Sequence, residues 1–321
     1  MWRPILKVYI LDRIHADAIR HFQKIAPDMD LVLWNDPGVS NWHDDADGVI
    51  VRASPVTGED IRKSRKLKVI GRHGVGYEKV DMEAAKERGI AVLITPFENT
   101  NAVAELVVTL MLACARNIPL GMEVVKEGHW KDKNAIRAEE LTGKSVGFVG
   151  YGRIARSAAD LLSKAFCVRI HAYDPYVPAE EWNDLKPSAI RSETIESLFA
   201  SCDVVSVHVP LTPETRSLIG KKAFSAARPG AILVNTARGG VVCEEDLYEA
   251  LKTGTLLAAA SDVFAKEPPE VTNPLFSLSN FIPTPHFGGN TRQALERVAT
   301  AVVREVAAYL HGGGDPRYRV I

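Results

Sequence analysis

The sequence predicts an α/β protein that contains two parallel β-sheets. Short apolar runs rich in β-branched residues, such as "DGVIVRA", alternate with amphipathic stretches such as "DMEAAKERG", which is the pattern of βαβ units. A second alternating series follows a long apolar helix, and it begins with a strand, a glycine-rich turn and another helix. Two series of this kind predict two domains, each with a parallel sheet at its centre.

Composition and charge narrow the functional classes. The chain has 321 residues, of which 46% are hydrophobic and 25% charged, values ordinary for a globular protein of about two domains. Its formal net charge of −1 offers no basic surface for nucleic acid or an anionic membrane, so the expected partner is a small molecule. The N-terminal segment meets Asp12 and Arg13 soon after a short apolar run, so we expect neither a signal peptide nor a membrane span. The chain has four cysteines: Cys114, Cys167, Cys202 and Cys243. They form no CxxC pair and have no zinc-ligand spacing, which indicates a cytoplasmic protein without a structural metal.

The first series of strands predicts one α/β layer from residue 1 to about residue 98. Its strands are "ILKVYIL", "DGVIVRA", "KVIGRHG" and "IAVLIT". A long apolar helix follows, which Asn101 caps and Pro119 interrupts. Glu105 and Arg116 lie inside it, so we interpret it as a helix buried between two domains or two subunits, and not as a membrane span.

The second series predicts a larger sheet and a closing helix. Its strands are "KSVGFVG", "VRIHAYD", "DVVSVHVP", "AILVNTA", "LLAAASDVF" and "NFIPTP". The stretch "NTRQALERVATAVVREVAAYLHGGG" then predicts one amphipathic helix that stops at a glycine. The ends of these strands share the carboxyl edge of one parallel sheet, which is where open α/β sheets bind ligands.

The turn after the first of these strands has the spacing G-x-G-x-x-A, formed by Gly150, Gly152 and Ala155. Gly150 permits a tight turn, Gly152 lets the backbone approach a pyrophosphate, and the small Ala155 lets the helix lie close to the strand. The glycine pattern alone also fits a structural βα turn. Asp174 ends the next strand, 22 residues beyond Gly152, where a carboxylate takes the ribose hydroxyls of NAD and repels the 2′-phosphate of NADP. We therefore predict NAD as the cofactor, although Arg153 would soften the discrimination against phosphate.

Three side chains near strand ends predict hydride chemistry on a carbonyl group. Arg238 lies in the turn "NTARGGVV", Glu267 follows the strand "AASDVF", and His286 follows the strand "NFIPT". An arginine can fork onto a carboxylate next to the carbonyl, and a histidine can supply the proton. Glu267 would favour the protonated form of His286, which acts as the acid in reduction and, when neutral, as the base in oxidation. Taken singly, each of the three also fits a structural or solvated position.

These motifs together resemble the D-isomer-specific 2-hydroxyacid dehydrogenase family. The resemblance covers essentially the whole chain, through "VRASPVTGEDI", "GRHGVGYEKVDMEAAKERGI", "NAVAELVVTLMLA", "VGFVGYGRIARSAADLL", "VHVPLTPET", "NTARGGVV", "AASDVFAKEPP" and "TPHFGGNT". It implies an NAD-dependent enzyme that interconverts a D-2-hydroxy acid and its 2-oxo acid, with the family's catalytic residues on Arg238, Glu267 and His286. Cofactor-binding roles are implied for a larger set: Gly150, Gly152, Arg153, Ile154, Asp174, Val209, Pro210, Thr236, Ala237, Arg238, Asp262, His286 and Gly288.

The resemblance also implies the domain arrangement. The fold would consist of two Rossmann-like, doubly wound parallel-sheet domains, with the NAD-binding domain inserted into a flavodoxin-like substrate domain. The NAD-binding domain would be residues 101–287, and the substrate domain residues 1–100 and 288–321. The active site would lie in a cleft that closes over the substrate, and Asp262 would hold the nicotinamide carboxamide. Relatives usually form homodimers through the nucleotide domain.

The same resemblance implies substrate-binding residues and leaves the substrate open. The amides of Val75 and Gly76 would receive the substrate carboxylate, and Arg52, Ser54 and Arg72 would meet the rest of the molecule. Because Arg52 and Arg72 stand where a substrate phosphate could be met, the chain looks most like the 3-phosphoglycerate dehydrogenases, although each arginine equally fits a solvated charge at a strand end. Reduction of hydroxypyruvate or glyoxylate, or a reaction of a sugar acid, is the alternative.

Some features depart from the family's pattern or favour other functions. Where relatives usually read Gly-x-Asp-Asn, this chain has "GYEKVD", with Glu78 and Lys79 in the turn. The chain ends shortly after its last predicted helix, so we expect no regulatory domain. The non-enzyme alternative is an NAD-sensing corepressor scaffold, but corepressors carry long disordered tails and need no complete Arg, Glu and His set. A formate-oxidising enzyme is disfavoured because it would lack the acidic partner Glu267.

Overall fold

A computed structural model describes residues 5–321, and the chain divides into two compact units. The first unit is Met1–Asn99 together with Gly289–Ile321, and the second unit is Thr100–Gly288. The polypeptide therefore leaves the first unit once and returns to it once. Each unit has a parallel β-sheet at its centre, which confirms the predicted fold class.

The first unit is built on a five-stranded sheet. Its elements in chain order are β1 (Leu6–Ile10), α1 (Ala16–Ile25), β2 (Met29–Val32), β3 (Gly48–Val51), α2 (Gly58–Lys63), β4 (Val69–Arg72), α3 (Met82–Glu87), β5 (Ala91–Leu93) and, after the chain returns, the C-terminal helix Arg292–Leu310. The strands lie in the order β2-β1-β3-β4-β5 and all pairs are parallel. This is the flavodoxin-like strand order that the family resemblance implies for the substrate domain.

The alternation of side chains along a strand explains how this sheet is covered on both faces. In β1, Val8 faces a buried cluster that includes Phe22 of α1 and Val306 of the C-terminal helix, whereas Tyr9 faces the opposite cluster. The C-terminal helix lies close to β4 at Gly71, where a Cβ would stand 2.5 Å from a methyl carbon of Val306. The returning helix is therefore part of this unit's core.

The second unit is built on a seven-stranded sheet. Its elements in chain order are α4 (Thr100–Ala115), α5 (Ile118–Lys126), β6 (Ser145–Val149), α6 (Arg153–Phe166), β7 (Arg169–Tyr173), β8 (Ile190–Arg191), α7 (Ile195–Ser201), β9 (Val204–Val207), α8 (Lys221–Ala226), β10 (Ala231–Asn235), α9 (Glu244–Lys252), β11 (Leu256–Ser261) and β12 (Phe281–Pro283), so that the C-terminal helix is α10. All strand pairs are parallel, in the order β12-β11-β10-β9-β6-β7-β8. This is the doubly wound Rossmann-like order, and its winding reverses between β6 and β9.

Helix α4 is the apolar helix that the sequence indicates, and it packs against α6, β10 and β11. It begins at Thr100, so Asn101 lies in its first turn and not at its N-cap. The helix is interrupted at Asn117, which has a φ of 47° and precedes α5. Pro119 lies in the first turn of α5, where its missing N–H removes no helical hydrogen bond. Within residues 5–321, no single helix is long and apolar enough to span a membrane; α4 and α5 reach that length and composition only as a pair, with a 58° bend between them.

The parallel arrangement decides where the loops of the second unit emerge. Because all seven strands point the same way, the loops that follow β6, β7, β9, β10, β11 and β12 leave the sheet at one edge. The turn after β6 lies at the reversal of the winding, which is where doubly wound sheets bind ligands. This edge carries the residues described next.

Candidate active site

The turn between β6 and α6 has the geometry that a dinucleotide-binding fingerprint requires. Gly150 has a φ of +86° and donates its amide hydrogen to the Tyr173 carbonyl over 2.8 Å. A Cβ on Gly150 would stand 2.9 Å from the His208 carbonyl oxygen, so both the left-handed backbone and the close approach require glycine. Gly152 is the N-cap of α6, and a Cβ there would meet no atom within 4 Å. Ala155 is fully buried, as close packing of the helix on the strand demands.

The start of α6 and the side chain of Asp174 fit the charged and the hydroxylated parts of NAD. Arg153 and Ile154 open α6, whose N-cap residue makes no side-chain hydrogen bond to its first turn. The positive end of that helix therefore suits a pyrophosphate. Asp174 accepts hydrogen bonds from the amides of Tyr151 (2.9 Å) and Tyr176 (3.0 Å), one on each carboxylate oxygen. Since a carboxylate oxygen offers about two acceptor sites, each oxygen can also accept from a ribose hydroxyl.

The loop after β9 lies against the glycine turn. The Val209 Cγ1 atom would be 2.9 Å from a Cβ on Gly150, so the two segments are in direct contact. Pro210 is exposed, and its carbonyl oxygen accepts a hydrogen bond from the Thr215 hydroxyl over 2.6 Å. The structure thus places both predicted residues at the sheet edge that carries the fingerprint.

The turn after β10 is closed by a buried asparagine. The Asn235 Oδ1 atom accepts from the Ala237 amide, and its Nδ2 atom donates to the Arg238 carbonyl, both over 3.0 Å. Thr236 lies between them, and its buried hydroxyl has no hydrogen-bond partner among the described residues. Asn235 therefore fixes the backbone from which the Arg238 side chain extends.

The glycine that follows Arg238 brings this turn against the loop that carries Glu267. A Cβ on Gly239 would stand 1.9 Å from the carbonyl carbon of Phe264, so the two backbones touch and only glycine fits. The Arg238 Nη1 atom donates to the Ala237 carbonyl over 2.8 Å. The sequence places Arg238 and Glu267 far apart, and this contact joins their loops.

Glu267 and His286 are joined by a hydrogen bond, with 2.7 Å between the Glu267 Oε2 and His286 Nδ1 atoms. The hydrogen bond and negative charge of Glu267 raise the pKa of His286, although burial and the positive charge of Arg238 oppose that shift. Burial alone would raise the pKa of Glu267, but the hydrogen bond and charge of His286, the Phe264 amide and the charge of Arg238 together lower it. Arg238 therefore acts electrostatically on both members of the pair. Because Glu267 holds Nδ1, Nε2 is the ring nitrogen that can exchange a proton with a ligand.

Asp262 shapes the loop that carries His286. Its buried carboxylate accepts from the Thr284 hydroxyl (2.6 Å), the Phe287 amide (3.1 Å) and the Gly288 amide (2.9 Å). His286 has a φ of 51°, in the left-handed region that side-chain-bearing residues rarely adopt. The Asp262 hydrogen bonds hold that conformation in place. The contact of Asp262 with the nicotinamide carboxamide stays a prediction. A carboxylate has about four acceptor sites, and the three hydrogen bonds leave one of them for the carboxamide.

In the first unit, one carboxylate holds the loop that carries Arg52 and Ser54. Asp12, which follows β1, accepts from the amides of Arg52 (2.6 Å), Ala53 (2.9 Å) and Ser54 (3.0 Å), and from the Ser54 hydroxyl (2.8 Å). Burial alone would raise the pKa of Asp12, but these hydrogen bonds lower it. The Arg52 Nη2 atom donates to the Asn290 Oδ1 atom over 3.2 Å.

The loop after β4 presents the two amides that are predicted to bind a carboxylate. Gly74 has a φ of +130°, and its amide donates to the Thr95 hydroxyl over 2.8 Å. Among the hydrogen bonds of residues 5–321, none is donated by the amides of Val75 and Gly76. Within the described part of the chain, these two amides are therefore available as donors.

Positive charge at this loop comes from arginine and not from histidine. Burial, with the positive charges of Arg52 and Arg72, lowers the pKa of His73 to about 4, so its imidazole is neutral at neutral pH.

Lys79, which departs from the family's pattern, donates from Nζ to the Ala53 carbonyl over 2.9 Å. Lys79 therefore ties together the two loops of the first unit that are predicted to bind substrate.

The structure brings Arg238, Glu267 and His286 together at the sheet edge of the second unit, where the fingerprint turn also lies. The predicted substrate residues gather on two tied loops of the first unit. Sequence reasoning missed two supporting residues, Asn235 and Asp12. Both are polar and stand at or just beyond the end of an apolar strand, so the signal that found the catalytic candidates could have found them as well.

Comparison with known protein sequences identifies relatives along most of the chain. A sequence profile described as "D-isomer specific 2-hydroxyacid dehydrogenase, NAD binding domain" matches residues 108–288. A D-3-phosphoglycerate dehydrogenase of Methanocaldococcus jannaschii is 40% identical over 309 residues, which are 96% of this chain and 58% of that protein. A hydroxypyruvate reductase of Thermotoga maritima is 41% identical over 265 residues, which are 82% of this chain and 84% of that protein.

Comparison with solved structures extends the similarity to the whole fold. The TT0316 protein of Thermus thermophilus matches with a TM-score of 0.85 and 33% sequence identity, covering 98% of this chain and 100% of that one. The chain spans 58% and 50% of the length of the first two curated D-3-phosphoglycerate dehydrogenases that it matches.

Proposed function

The chain belongs to the D-isomer specific 2-hydroxyacid dehydrogenase family, and from this premise we propose that it is an NAD-dependent oxidoreductase that interconverts a D-2-hydroxy acid and its 2-oxo acid. One observation carries the proposal, the 2.7 Å hydrogen bond between Glu267 and His286 beside the turn of Arg238. A proton donor, its carboxylate partner and an arginine are the protein groups that this reaction needs.

The residues that would hold NAD lie in the second unit. Gly150 and Gly152 would admit the pyrophosphate at the start of α6, Asp174 would accept from the ribose hydroxyls, and Asp262 from the carboxamide. When bound, NAD supplies the hydride acceptor for oxidation and, in its reduced form, the hydride donor for reduction. Proton transfer and substrate binding then fall to the chain's own side chains.

His286 would move the proton. In reduction, its imidazolium gives the Nε2 proton to the oxygen of the 2-oxo group, and in oxidation the neutral imidazole takes that proton from the hydroxyl group. Glu267 determines which ring nitrogen is available and stabilises the charged form of the ring. The support is the raised pKa of His286, whose largest cause is the hydrogen bond to Glu267.

Arg238 would bind the substrate's carboxylate and polarise the adjacent carbonyl group. A guanidinium keeps its charge throughout the working pH range and has several N–H donors in one plane, so it can serve both oxygens. The support is its position in a turn fixed by Asn235 and by the close approach at Gly239.

For the substrate we propose a phosphorylated three-carbon acid of the 3-phosphoglycerate type. Arg52 and Arg72 support it, since they stand at the carboxyl ends of neighbouring strands β3 and β4 and carry the positive charge of that edge. Hydroxypyruvate or glyoxylate reduction is the alternative, and one relative is named hydroxypyruvate reductase. A non-enzymatic NAD-sensing scaffold would need no hydrogen-bonded Glu267 and His286, so their pairing favours the enzyme.

A panel of substrates tests the proposed function. The purified protein is assayed with NADH and 2-oxo acids, and with NAD and the corresponding D- and L-hydroxy acids, each with and without a terminal phosphate. We expect reduction of the 2-oxo acids and, among the hydroxy acids, oxidation of the D-enantiomers only. The phosphorylated compounds should have the highest kcat/KM in both directions. Higher kcat/KM for hydroxypyruvate or glyoxylate would select the alternative, and absence of turnover across the panel would reject the enzyme.

The cofactor preference is a separate expectation that rests on Asp174. NAD(H) should be preferred to NADP(H) by at least about tenfold in kcat/KM, because a carboxylate facing the 2′-phosphate adds a repulsion of more than ~1.4 kcal/mol. Asp174→Asn should reduce the preference, since it removes the negative charge and retains the shape. The measurement is kcat/KM with each cofactor, and equal efficiency of the unaltered protein with both cofactors would contradict the role of Asp174.

Glu267→Gln should move the pH dependence of reduction to lower pH. Reduction requires protonated His286, so activity is present below the His286 pKa and is lost as pH rises through it. The substitution removes the negative charge that raises this pKa, and the loss then begins at lower pH. Rates in both directions across the pH range are the measurement. Glu270→Gln, at an exposed position of the same loop, is the control. If Glu267→Gln loses reduction activity at the same pH as the unaltered protein, the electrostatic role of Glu267 is refuted.

We also propose a homodimer formed through the second unit and a cytoplasmic location. The dimer is supported by an apolar face of α5, where Ile118 is 48%, Met122 52% and Val125 60% exposed. The location is supported by the four cysteines, all of which are free thiols. Sedimentation equilibrium of the purified protein tests the dimer.

A further inference from the structure

The loop that carries Glu267 has little packing of its own. It follows the buried residues Val263 and Phe264, and none of the residues from 265 to 273 is buried. A segment without buried apolar side chains opens easily, and its conformation depends on the hydrogen bonds that hold its ends. The position of Glu267 relative to His286 therefore depends on what anchors this loop.

One carboxylate outside the loop bridges both of its ends. The Glu244 Oε1 atom accepts from the amide of Ala265, the first residue of the loop, over 2.7 Å. The Glu244 Oε2 atom accepts from the Nδ2 atom of Asn273, the last residue, over 2.9 Å. The Asn273 Oδ1 atom in turn accepts from the Leu275 amide over 3.0 Å, which ties this end to the segment before β12.

Glu244 is itself well placed to hold the loop. It is the first residue of α9, where the positive end of the helix stabilises a carboxylate, and α9 follows the turn of Arg238 and Gly239. Gly239 contacts the backbone of Phe264, immediately before the loop. The segment 239–244 therefore meets the Glu267 loop twice, once through a backbone contact and once through the Glu244 side chain.

We propose that Glu244 is a positioning residue, whose carboxylate closes the loop of residues 265–273 and so holds Glu267 against Nδ1 of His286. The inference rests on the proposed function, because it assigns Glu244 a role through the acid–base pair. Without Glu244, both ends of the loop lose an anchor, and Glu267 occupies its position beside His286 for a smaller part of the time. The charged groups that face His286, namely Glu267, Arg238 and Asp262, remain chemically unaltered.

The first test compares Glu244→Ala with Glu245→Ala, a matched loss of one carboxylate at an exposed position of the same helical turn. Glu244→Ala should lower kcat/KM for reduction about tenfold or more and shift its pH limb to lower pH, as supporting residues of a site commonly do. Affinity for NADH, measured by fluorescence titration, should not change. Glu245→Ala should match the unaltered protein, and equal kinetics of the two variants would overturn the inference.

A second test asks whether Glu244 acts through Glu267. In the double variant Glu244→Ala with Glu267→Gln, kcat/KM should be no lower than in Glu267→Gln alone, because the group that Glu244 positions has already been removed. Additive losses would overturn the inference. Glu244→Gln, which retains one oxygen acceptor for the Ala265 amide, should restore part of the activity that Glu244→Ala loses.

A third readout does not depend on activity. The side chain of Lys266 is 73% exposed, and it lies one residue inside the loop. Limited trypsin digestion should cleave after Lys266 faster in Glu244→Ala than in Glu245→Ala, because the unanchored loop opens more often. Equal cleavage would overturn the anchoring role. If the unaltered protein shows no dehydrogenase activity, the proposed function fails on its own, while the digestion still tests whether Glu244 holds the loop.

Discussion

His286→Ala is expected to lose on the order of 10²–10⁴ in kcat for reduction of the 2-oxo acid, because general acid catalysis is removed. Binding of NADH should survive, since the glycine turn, α6 and Asp174 are on other loops of the sheet edge. The loss should be similar in the oxidation direction, where the same imidazole is the base. Steady-state kinetics in both directions and a fluorescence titration with NADH are the measurements.

The chain offers a matched control for this substitution. His311 also pairs with a carboxylate, with 3.0 Å between its Nε2 atom and the Asp28 Oδ2 atom, but it lies at the end of α10 in the first unit. His311→Ala should leave kcat close to that of the unaltered protein. If His286→Ala reduces the substrate at the normal rate, His286 is not the proton donor and the proposed reaction needs another acid.

Most of the fold could be predicted because its strands are apolar and its helices amphipathic. The sequence analysis missed two strands, β2 and β8, and they show why the remainder of the fold could not be predicted. Strand β2 (Met29–Val32) lies at the edge of its sheet and contains the exposed Asp30, so the apolar run that begins at Leu31 is only half inside the strand. Strand β8 (Ile190–Arg191) has two exposed residues and no apolar run. Both are formed by pairing with a neighbouring strand, which local sequence does not record.

In the candidate site, too, some features could be predicted from the sequence and others could not. Residue types at strand ends predict Arg238, Glu267 and His286, because their chemistry is visible in the side chains themselves. The fit of Gly239 against Phe264 is invisible in sequence, because it depends on how two separate loops approach each other. A sequence pattern can identify polar groups at strand ends, both those that react and those that hold them, and it does not show which separate loops come into contact.

Arg238→Lys is expected to lower kcat/KM for the 2-oxo acid by about 10- to 100-fold, the value of one lost charge-assisted hydrogen bond of ~1.5–3 kcal/mol. Lysine keeps the positive charge but loses the planar fork that serves a carboxylate and an adjacent carbonyl oxygen together. KM should therefore rise and kcat should fall, since the lost interactions contribute both to binding and to polarising the carbonyl group. The lost fork also leaves the Ala237 carbonyl without the Nη1 donor that it has at 2.8 Å.

The matched control for Arg238→Lys is Arg228→Lys, on the same unit, where the guanidinium pairs with Asp203 over 3.4 Å and is 44% exposed. That pair needs only a positive charge, so lysine should replace it with little effect on KM or kcat. Measuring KM and kcat separately distinguishes the two parts of the role of Arg238. A rise in KM alone would mean that Arg238 binds the carboxylate without polarising the carbonyl group, and unchanged values of both would show that Arg238 does not contact the substrate.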